Sequence, residues 1–464
     1  MTTLLRECDA DRFSGFFDNF VPNMDTAYTE AGYEALLQDI FQRFPSVQKE
    51  GFTAGAYKPG LERMLSFDQA LGCPSKAFKA VHIAGTNGKG SVSSLLASAL
   101  SACGLQVGLF TSPHLLDFRE RMRMGGSMVP KEYVFTFLTR WMPWIQEHQL
   151  SFFEITTGLA FQWFADAGAQ VAVIETGLGG RLDSTNILQP VLSVVTTIGL
   201  DHCALLGDTL PQIAAEKAGI FKAGVPAVVG EYDPETAPVF DEKASGFCPL
   251  TYADQVLPSL WDRRKALLEQ MDLQADVQEK NLRTVFACLD ILRQNPDFQV
   301  LADETAVIPG IVHAARNTAF HGRWERLSEN PYVLCDIGHN AHALRHNFAQ
   351  LERMMASGRF GALYIIYGIM ADKDLDAILP LMPMDATYCF VAPDTPRALP
   401  APDILRRFEA YRSGAGRAFT ASSVRGGVQQ VLELAGEASE KPLIYIGGST
   451  FVVAEALPLF SVTL

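Results

Sequence analysis

The chain has no Cys-x-x-Cys pair. Its eight cysteines stand apart at Cys8, Cys73, Cys103, Cys203, Cys248, Cys288, Cys335 and Cys389. That spacing suggests neither a zinc site nor a disulfide framework. Positive charge is scarce: 38 lysines and arginines face 52 acids, for a net charge of −14, and no basic run occurs. Nucleic acid and anionic membrane are therefore not expected as partners, whereas an anionic small substrate needs only local positive charge. No apolar run reaches the roughly 20 residues of a membrane span. Met1 to Phe13 carries charges of both signs and no apolar signal core, so no leader is expected there. A reducing cytoplasm is the expected compartment. Internal repeats and low-complexity segments are also missing.

What is present is a chain of 464 residues, 48% apolar. That is too long for one ordinary core, and two or three domains are expected. Phe13, Phe16, Phe17 and Phe20 have the spacing of one face of a short helix in an N-terminal extension over 1–30. Helices are predicted over Tyr33–Phe44 and Leu61–Leu71, with a glycine-rich loop, Gly51–Gly60, between them. From Lys79 onward short apolar runs alternate with helices. The strands are Ala80–Ile83, Gln106–Phe110, Val171–Ile174, Val191–Thr197 and Pro226–Val229, with helices over Phe153–Ala167 and Gln278–Arg293. Such runs read as a mostly parallel, doubly wound α/β sheet covered on both faces. Ligands of such sheets bind at the edge where the strands end. The pattern lapses over Ala302–Arg323, and a second, smaller Rossmann-like α/β series follows. Its strands are Tyr332–Asp336, Leu363–Gly368, Thr387–Val391 and Leu443–Ile446. Its helices are Ala341–Met355, Leu375–Leu381, Asp403–Tyr411 and Val424–Ala435. Domains over 1–316 and 317–464 are expected.

One stretch organises the chemistry. Ala84-Gly85-Thr86-Asn87-Gly88-Lys89-Gly90-Ser91 follows the first strand and opens a helix candidate, Ser91–Cys103. Strand, glycine loop and helix are the context of a phosphate loop, in which backbone N–H groups and the helix N-terminus face phosphate oxygens. The spacing is not the strict one: two residues separate Gly85 from Gly88, and Gly90 stands between Lys89 and Ser91. A plain glycine turn also fits these residues taken alone. Further stretches fall at strand ends or on loops: Thr111-Ser112-Pro113-His114-Leu115, Ser151-Phe152-Phe153-Glu154, Glu175 through Asn186 with three glycines, Leu200-Asp201-His202, and Glu216-Lys217-Ala218-Gly219. Glu175 ends its strand as the acidic metal partner of a phosphate-loop enzyme would.

Together these strings resemble the folylpolyglutamate synthase and dihydrofolate synthase family, a branch of the Mur ligase superfamily. The likeness runs from about Tyr33 to the C-terminus and takes in Gln278-x-x-Asn281, Gly322-Arg323, Asp336-x-x-His339-Asn340, Asp372-Lys373-Asp374 and Gly447-Gly448-Ser449. It implies an ATP-dependent amide ligase that works through an acyl phosphate and joins L-glutamate to dihydropteroate or folates. By position, it implies that Asn87, Gly88, Lys89, Gly90 and Ser91 hold ATP phosphates. Asn281, Arg323 and Asp336 would add nucleotide contacts. Ser112, Glu175 and His202 would hold Mg²⁺, two ions in all, with K⁺ as a further candidate cation. Lys217 would be carbamylated and catalytic, and His339 catalytic with a less defined part. Phe153, Glu154, Leu182, Asp183 and Ser184 would meet the pterin. A monomer is expected.

The chain departs from the family pattern at Ala341 and His321, where proline is usual, and at Phe152, where tyrosine is frequent. Rival readings are a folylpolyglutamate synthase lacking the dihydropteroate reaction, a Mur-type cell-wall ligase, and a nucleotide-binding switch without ligase chemistry.

Overall fold

The computed structural model describes residues 27–46, 58–413 and 417–460. The expected aromatic face of Phe13, Phe16, Phe17 and Phe20, and most of the 51–60 loop, lie outside them.

The first sheet has eight strands: β1 (Lys79–Ala84), β2 (Val107–Phe110), β3 (Met122–Met124), β4 (Ser127–Met128), β5 (Val171–Glu175), β6 (Leu192–Val195), β7 (Ala227–Val229) and β8 (Leu250–Tyr252). Their order is β4-β3-β2-β5-β1-β6-β7-β8. All neighbours are parallel except β2 with β3 and β3 with β4. The central strands are apolar on both faces because both are covered. The helix Lys89–Ala102 packs on one face with Gln278–Leu292 and Glu304–Val312. Phe152–Asp166 covers the other with Glu62–Ala70.

The second sheet holds β9 (Glu325–Glu329), β10 (Tyr332–Asp336), β11 (Ala362–Tyr367), β12 (Thr387–Phe390), β13 (Arg417–Thr420) and β14 (Pro442–Gly447), in the order β13-β12-β11-β14-β10-β9. Only β9 runs antiparallel to its neighbour. Both halves are thus the doubly wound α/β layers that the alternating pattern predicted. We place the division between them in the link 319–324.

The stretch 302–323 is not patternless. It forms helices Glu304–Val312 and Ala314–Thr318. Pro309 and Gly310 obscure the first in sequence, since both disfavour helix interiors. Tertiary contact decides otherwise: Gly310 lies against Ala99, where an added Cβ would sit 2.8 Å from the Ala99 Cα. The Ser98 hydroxyl donates to the Gly310 carbonyl at 2.6 Å. Cys73 is disulfide-bonded, a pairing that the scattered cysteine spacing did not suggest. The other six described cysteines are free.

Register levels the strand ends. Ile83 pairs with Glu175 and Ala84 with Val195, while Asp336 and Tyr367 both pair with Gly447. The loops leaving β1, β2, β5 and β6 therefore gather at one edge, and those leaving β10, β11 and β14 at another.

The aromatic layer under the first sheet makes a stability prediction. Gly158 sits where an added Cβ would lie 2.3 Å from the buried Phe67 ring, itself stacked on Trp144 at 5.0 Å. Gly158→Ala should lower unfolding free energy by about 1–3 kcal/mol through overpacking, read as an earlier denaturant midpoint. An unchanged midpoint would mean that the ring can slide.

Candidate active site

The phosphate loop is stitched to the strand beside it. Thr86 N–H donates to the Thr197 carbonyl at 2.8 Å, and the Thr196 hydroxyl donates to the Asn87 carbonyl at 2.6 Å. Gly85 has φ +151°, and a Cβ there would lie 1.9 Å from the Thr196 hydroxyl oxygen, so only glycine fits. Gly88 has φ +83° and starts the helix Lys89–Ala102, which has no side-chain cap. The first N–H groups of a helix have no acceptor within it. Those of this one are open to an anion at the helix's positive end.

Two lysines converge here. The Lys89 ammonium donates to the Gly85 carbonyl at 3.0 Å and the Thr86 carbonyl at 3.3 Å. The buried Lys217 reaches the same Gly85 carbonyl at 2.9 Å. Burial first, and then the Lys89 charge, push the Lys217 amine down to about 7. Glu175 is buried at the end of β5, with Lys89 4.0 Å away and the Ser112 N–H donating to it at 3.2 Å. Burial raises its pKa, only partly opposed by Lys89, Ser112, Arg323 and Arg121. A carboxylate so short of countercharge fits a divalent cation. His202 lies on the loop after β6, and burial pushes it down to about 3, so it is neutral at pH 7, as a metal ligand must be. Among the described residues no group of three or more histidines, cysteines and acids forms a ready-made metal cluster. Of the expected ligands, Ser112 and His202 line one cleft, and Glu175 lies beside Ser112, whose N–H it accepts.

A cleft of about 270 Å³ opens between the two sheets. Lys89, Ser112, His202 and Lys217 line it from the first, His339, Lys373 and Ser449 from the second. Phe153, Leu182, Asp183 and Ser184 line one end. Phe153 opens its helix from the Ser151 cap, with its ring against Gly177, where an added Cβ would meet it at 2.5 Å.

Other expected residues sit differently. Glu154 is buried; its carboxylate accepts the Ser151 N–H at 2.7 Å and pairs with Arg63 at 3.1 Å, and it does not line the cleft. Asp336 faces its own domain, accepting from Trp324 N–H at 3.0 Å, Gly338 N–H at 2.7 Å and Asn347 Nδ2 at 2.7 Å. It thereby fixes the turn next to Arg323. Arg323 stacks on Phe320 at 4.9 Å and lies against Gly90. Asn281 touches Gly88, where an added Cβ would meet its Oδ1 at 2.6 Å. Both therefore stand beside the loop.

A bridge that the strings did not announce joins the halves. Asp201 accepts from Lys373 Nζ at 2.7 Å and from Asn340 Nδ2 at 3.1 Å, and His339 Nε2 is 3.6 Å away. Burial alone would raise the Asp201 carboxyl, but His339, His202 and Lys373 around it outweigh burial and hold it below the usual carboxylate range. Asn87 and Asn340 pair amide to amide at 3.2 and 3.4 Å, and Asn87 meets His342 at 2.9 Å. Asp201 and Lys373 belonged to quoted motifs, yet no local signal pairs residues 172 apart.

Two family models match the chain: "Mur ligase middle domain" over residues 83–252 and "Mur ligase, glutamate ligase domain" over 322–449. A dihydrofolate synthase/folylpolyglutamate synthase of Escherichia coli is 32% identical over 408 residues, 86% of this chain and 90% of that protein. A probable bifunctional folylpolyglutamate synthase/dihydropteroate synthase of Haloferax volcanii is 32% identical over 421 residues. The alignment takes 86% of this chain but 48% of that protein, so the chain spans about half its length. A bifunctional folylpolyglutamate synthase/dihydrofolate synthase of Yersinia pestis, solved with AMPPNP and Mn, superposes with TM-score 0.74 at 25% identity. The match covers 94% of this chain and 99% of the other.

The bridge can be tested alone. Asp201→Ala leaves Lys373 without its anion, a loss of about 3–5 kcal/mol when such a pair is buried. Scattering and inter-domain distance measurements should show a more open molecule than the wild type. Identical curves would mean that the other contacts suffice.

Proposed function

Taking as premise that the chain belongs to the Mur ligases, and among them to the dihydrofolate synthase/folylpolyglutamate synthase family, we propose that it joins L-glutamate to dihydropteroate and to folates. The first reaction gives dihydrofolate and the second polyglutamates, each bond being coupled to ATP. The observation that carries this reading is the cleft itself. It sets an aromatic and polar end at Phe153, Leu182 and Asp183 beside phosphate-loop Lys89, with the second domain opposite at His339 and Lys373.

A carboxylate bears a poor leaving group. Attack of its oxygen on the γ-phosphorus makes an acyl phosphate and releases ADP. The glutamate amine then attacks the carbonyl carbon, and phosphate leaves. The chain's part is positioning and neutralising charge. Lys89 and the N–H groups of Gly88, Gly90 and Ser91 offset phosphate charge, with Asn87, Asn281 and Arg323 around them. Asp336 contributes through the turn that holds Arg323. Ser112, Glu175 and His202 hold divalent metal, which when bound screens the phosphate oxygens; the reading carries two Mg²⁺ ions and K⁺. The His339 Nδ1–H faces the Ile337 carbonyl at 3.1 Å. Its Nε2 lies 3.6 Å from the Asp201 carboxylate, so His339 serves the catalytic cleft by orienting that carboxylate across the domain bridge. Glu154 supports the pterin end by capping the helix that carries Phe153.

Lys217 we assign as a carbamate. Its neutral Nζ attacks the carbon of CO₂ and a proton passes to water, leaving a carboxylate where an ammonium would repel metal. One proton leaves to make the amine neutral, which happens near pH 7, and a second leaves as the carbamate forms, so the carbamate fraction at fixed CO₂ should climb most steeply below about pH 7 and go on climbing above it until the site is full. A ¹³C carbamate resonance from labelled CO₂ that is lost in Lys217→Ala would show it. A free amine in active, bicarbonate-equilibrated protein would reject it. Lys217→Ala should keep ATP affinity within about threefold, yet lose turnover by about a hundredfold or more.

No helix among the described residues is long and apolar enough to cross a membrane. We place the enzyme in the cytoplasm as a monomer.

The decisive assay is ADP release with glutamate plus dihydropteroate, tetrahydrofolate or a muramyl peptide. The first two acids should support it and the third should not. Activity with tetrahydrofolate alone would reduce the reading to a folylpolyglutamate synthase, and release independent of any acid would point to a switch. Lys89→Ala should cut turnover by about 10²–10³-fold.

A further inference from the structure

Behind the pterin end of the cleft, β1 carries a histidine that no step above uses. His82 is wholly buried. Strand alternation puts it on the face of Ala80 and Ala84, away from Val81 and Ile83. Its Nε2 lies 2.8 Å from the Thr185 hydroxyl oxygen. That hydroxyl donates to Asp183 Oδ1 at 2.5 Å. The same oxygen accepts the Thr185 N–H at 3.0 Å, and Oδ2 accepts the Leu178 N–H at 2.8 Å, with Gly177 N–H also donating to the carboxylate.

The direction of this chain follows from chemistry. Asp183 accepts, so the Thr185 proton points to it, and the Thr185 oxygen must then accept from His82 Nε2–H. The histidine is therefore the Nε2–H tautomer. Nδ1 has no hydrogen-bond partner among the described residues, which a bare lone pair tolerates better than a stranded N–H. Burial first, then the nearby Lys222 charge, push His82 down to about 3, so it stays neutral. Four donors occupy the four lone-pair directions of the Asp183 carboxylate. Its chief work is thus to gather the backbone of 177–185 into one shape, with Leu182 and Ser184 presented to the cleft.

We propose that His82 and Thr185 are positioning residues for the pterin-bearing acid: His82 orients the Thr185 hydroxyl, the hydroxyl holds Asp183, and Asp183 shapes the loop that the pterin meets. This rests on the reading that the pterin binds at the end of the cleft lined by Phe153, Leu182 and Ser184, with Asp183 holding that loop. Neither His82 nor Thr185 lines the cleft, and both act on the 177–185 loop, so the effect belongs in the affinity for the acid and not in the handling of ATP.

The test is steady-state ADP release by Thr185→Val, Thr185→Ser, His82→Leu, His82→Gln and the Thr185→Val/His82→Leu double variant, with ATP binding measured by calorimetry. Thr185→Val should raise KM for dihydropteroate about tenfold, the scale of one buried hydrogen bond. KM for ATP should stay within about twofold of wild type if the loop alone is disturbed. Thr185→Ser, which keeps the hydroxyl, should retain the wild-type KM. His82→Leu should reproduce the Thr185→Val effect and add nothing to it in the double variant, because both act through one hydroxyl. His82→Gln, which keeps an N–H on a similar arm, should fall between. Equal rises in both KM values, an additive double variant, or wild-type behaviour of Thr185→Val would each overturn the proposal. If Thr185→Val does not fold, a Thr185→Ser KM raised as far as that of His82→Leu overturns it equally. Wild type that releases ADP with another acid but with no pteroate would overturn the functional reading and this proposal with it. An active wild type with an indifferent Thr185→Val rejects this proposal alone.

Discussion

One carbonyl oxygen, that of Gly85, receives two ammonium groups, Lys89 at 3.0 Å and Lys217 at 2.9 Å. That meeting depends on a missing side chain, because the Thr196 hydroxyl occupies the place of any Cβ at 85. Remove the constraint and the loop backs away from β6, taking the carbonyl with it. Keep it, and two cations share one acceptor in a buried place. Burial and the neighbouring charge then favour a neutral Lys217. The same closeness that shapes the loop thus lowers the Lys217 amine toward neutrality, as the proposed carbamate requires. Neither residue would have this character alone on a solvated surface.

The cleft resolves an apparent conflict with composition. The chain is strongly acidic overall, yet Lys58, Lys89, Arg121, Lys217, Lys373 and Arg397 all border the cleft. Facing them are two carboxylates, Asp183 and Asp201. Asp183 is consumed by loop hydrogen bonds, and Asp201 is shared between Lys373 and Asn340. Little acidic charge is left there to repel an anionic ligand.

The sequence made the parallel strands legible, because a strand covered on both faces is an unbroken apolar run, as β5 is. It hid the helices Lys131–Glu147 and Glu304–Val312, each with an internal proline, Pro143 and Pro309. Propensity argues against such helices, and tertiary packing overrides it. The short antiparallel pair β3 and β4 was hidden too, since two or three residues carry no periodicity. At the site, residues inside one string were readable: Lys89, Ser112, Glu175, His202 and Lys217 all stand at the strand-end edge. Contacts across the fold were not. Asp201 with Lys373, and His82 with Thr185, join residues 172 and 103 positions apart. Glu154 and Asp336 show a subtler limit. Each is placed beside the functional residue its motif suggests, but its carboxylate is spent on backbone donors, a commitment that residue type alone does not reveal.

These contacts also decide which parts can move. The loop 177–187 is tied to the end of the helix Leu210–Ala218 by several independent bonds. Arg181 N–H donates to the Glu216 carbonyl at 2.8 Å, and the Arg181 guanidinium grips the Glu216 carboxylate at 2.8 and 3.1 Å. The Asn186 amide bridges the Arg181 and Gly219 carbonyls at 3.0 Å each. Gly180 and Gly219 permit backbone contacts that a Cβ would block, at 2.9 Å from the Glu216 carbonyl oxygen and 2.5 Å from the Arg181 Cα. The loop that shapes the acid site and the helix turn that carries Lys217 therefore form one body, itself pinned to β1 through His82. A rigid body cannot adjust its two ends separately, so the distance from the acid's end of the cleft to Lys217 is set by folding and not by binding. What remains adjustable is the second domain, held across the cleft by Asp201 with Lys373 and by Asn87 with Asn340. Polar contacts of that kind are exchangeable, since a bound nucleotide or amino acid offers the same groups other partners. In the ligase reading proposed above, the first domain fixes geometry, and the second is the part that exchanges contacts when the amine enters.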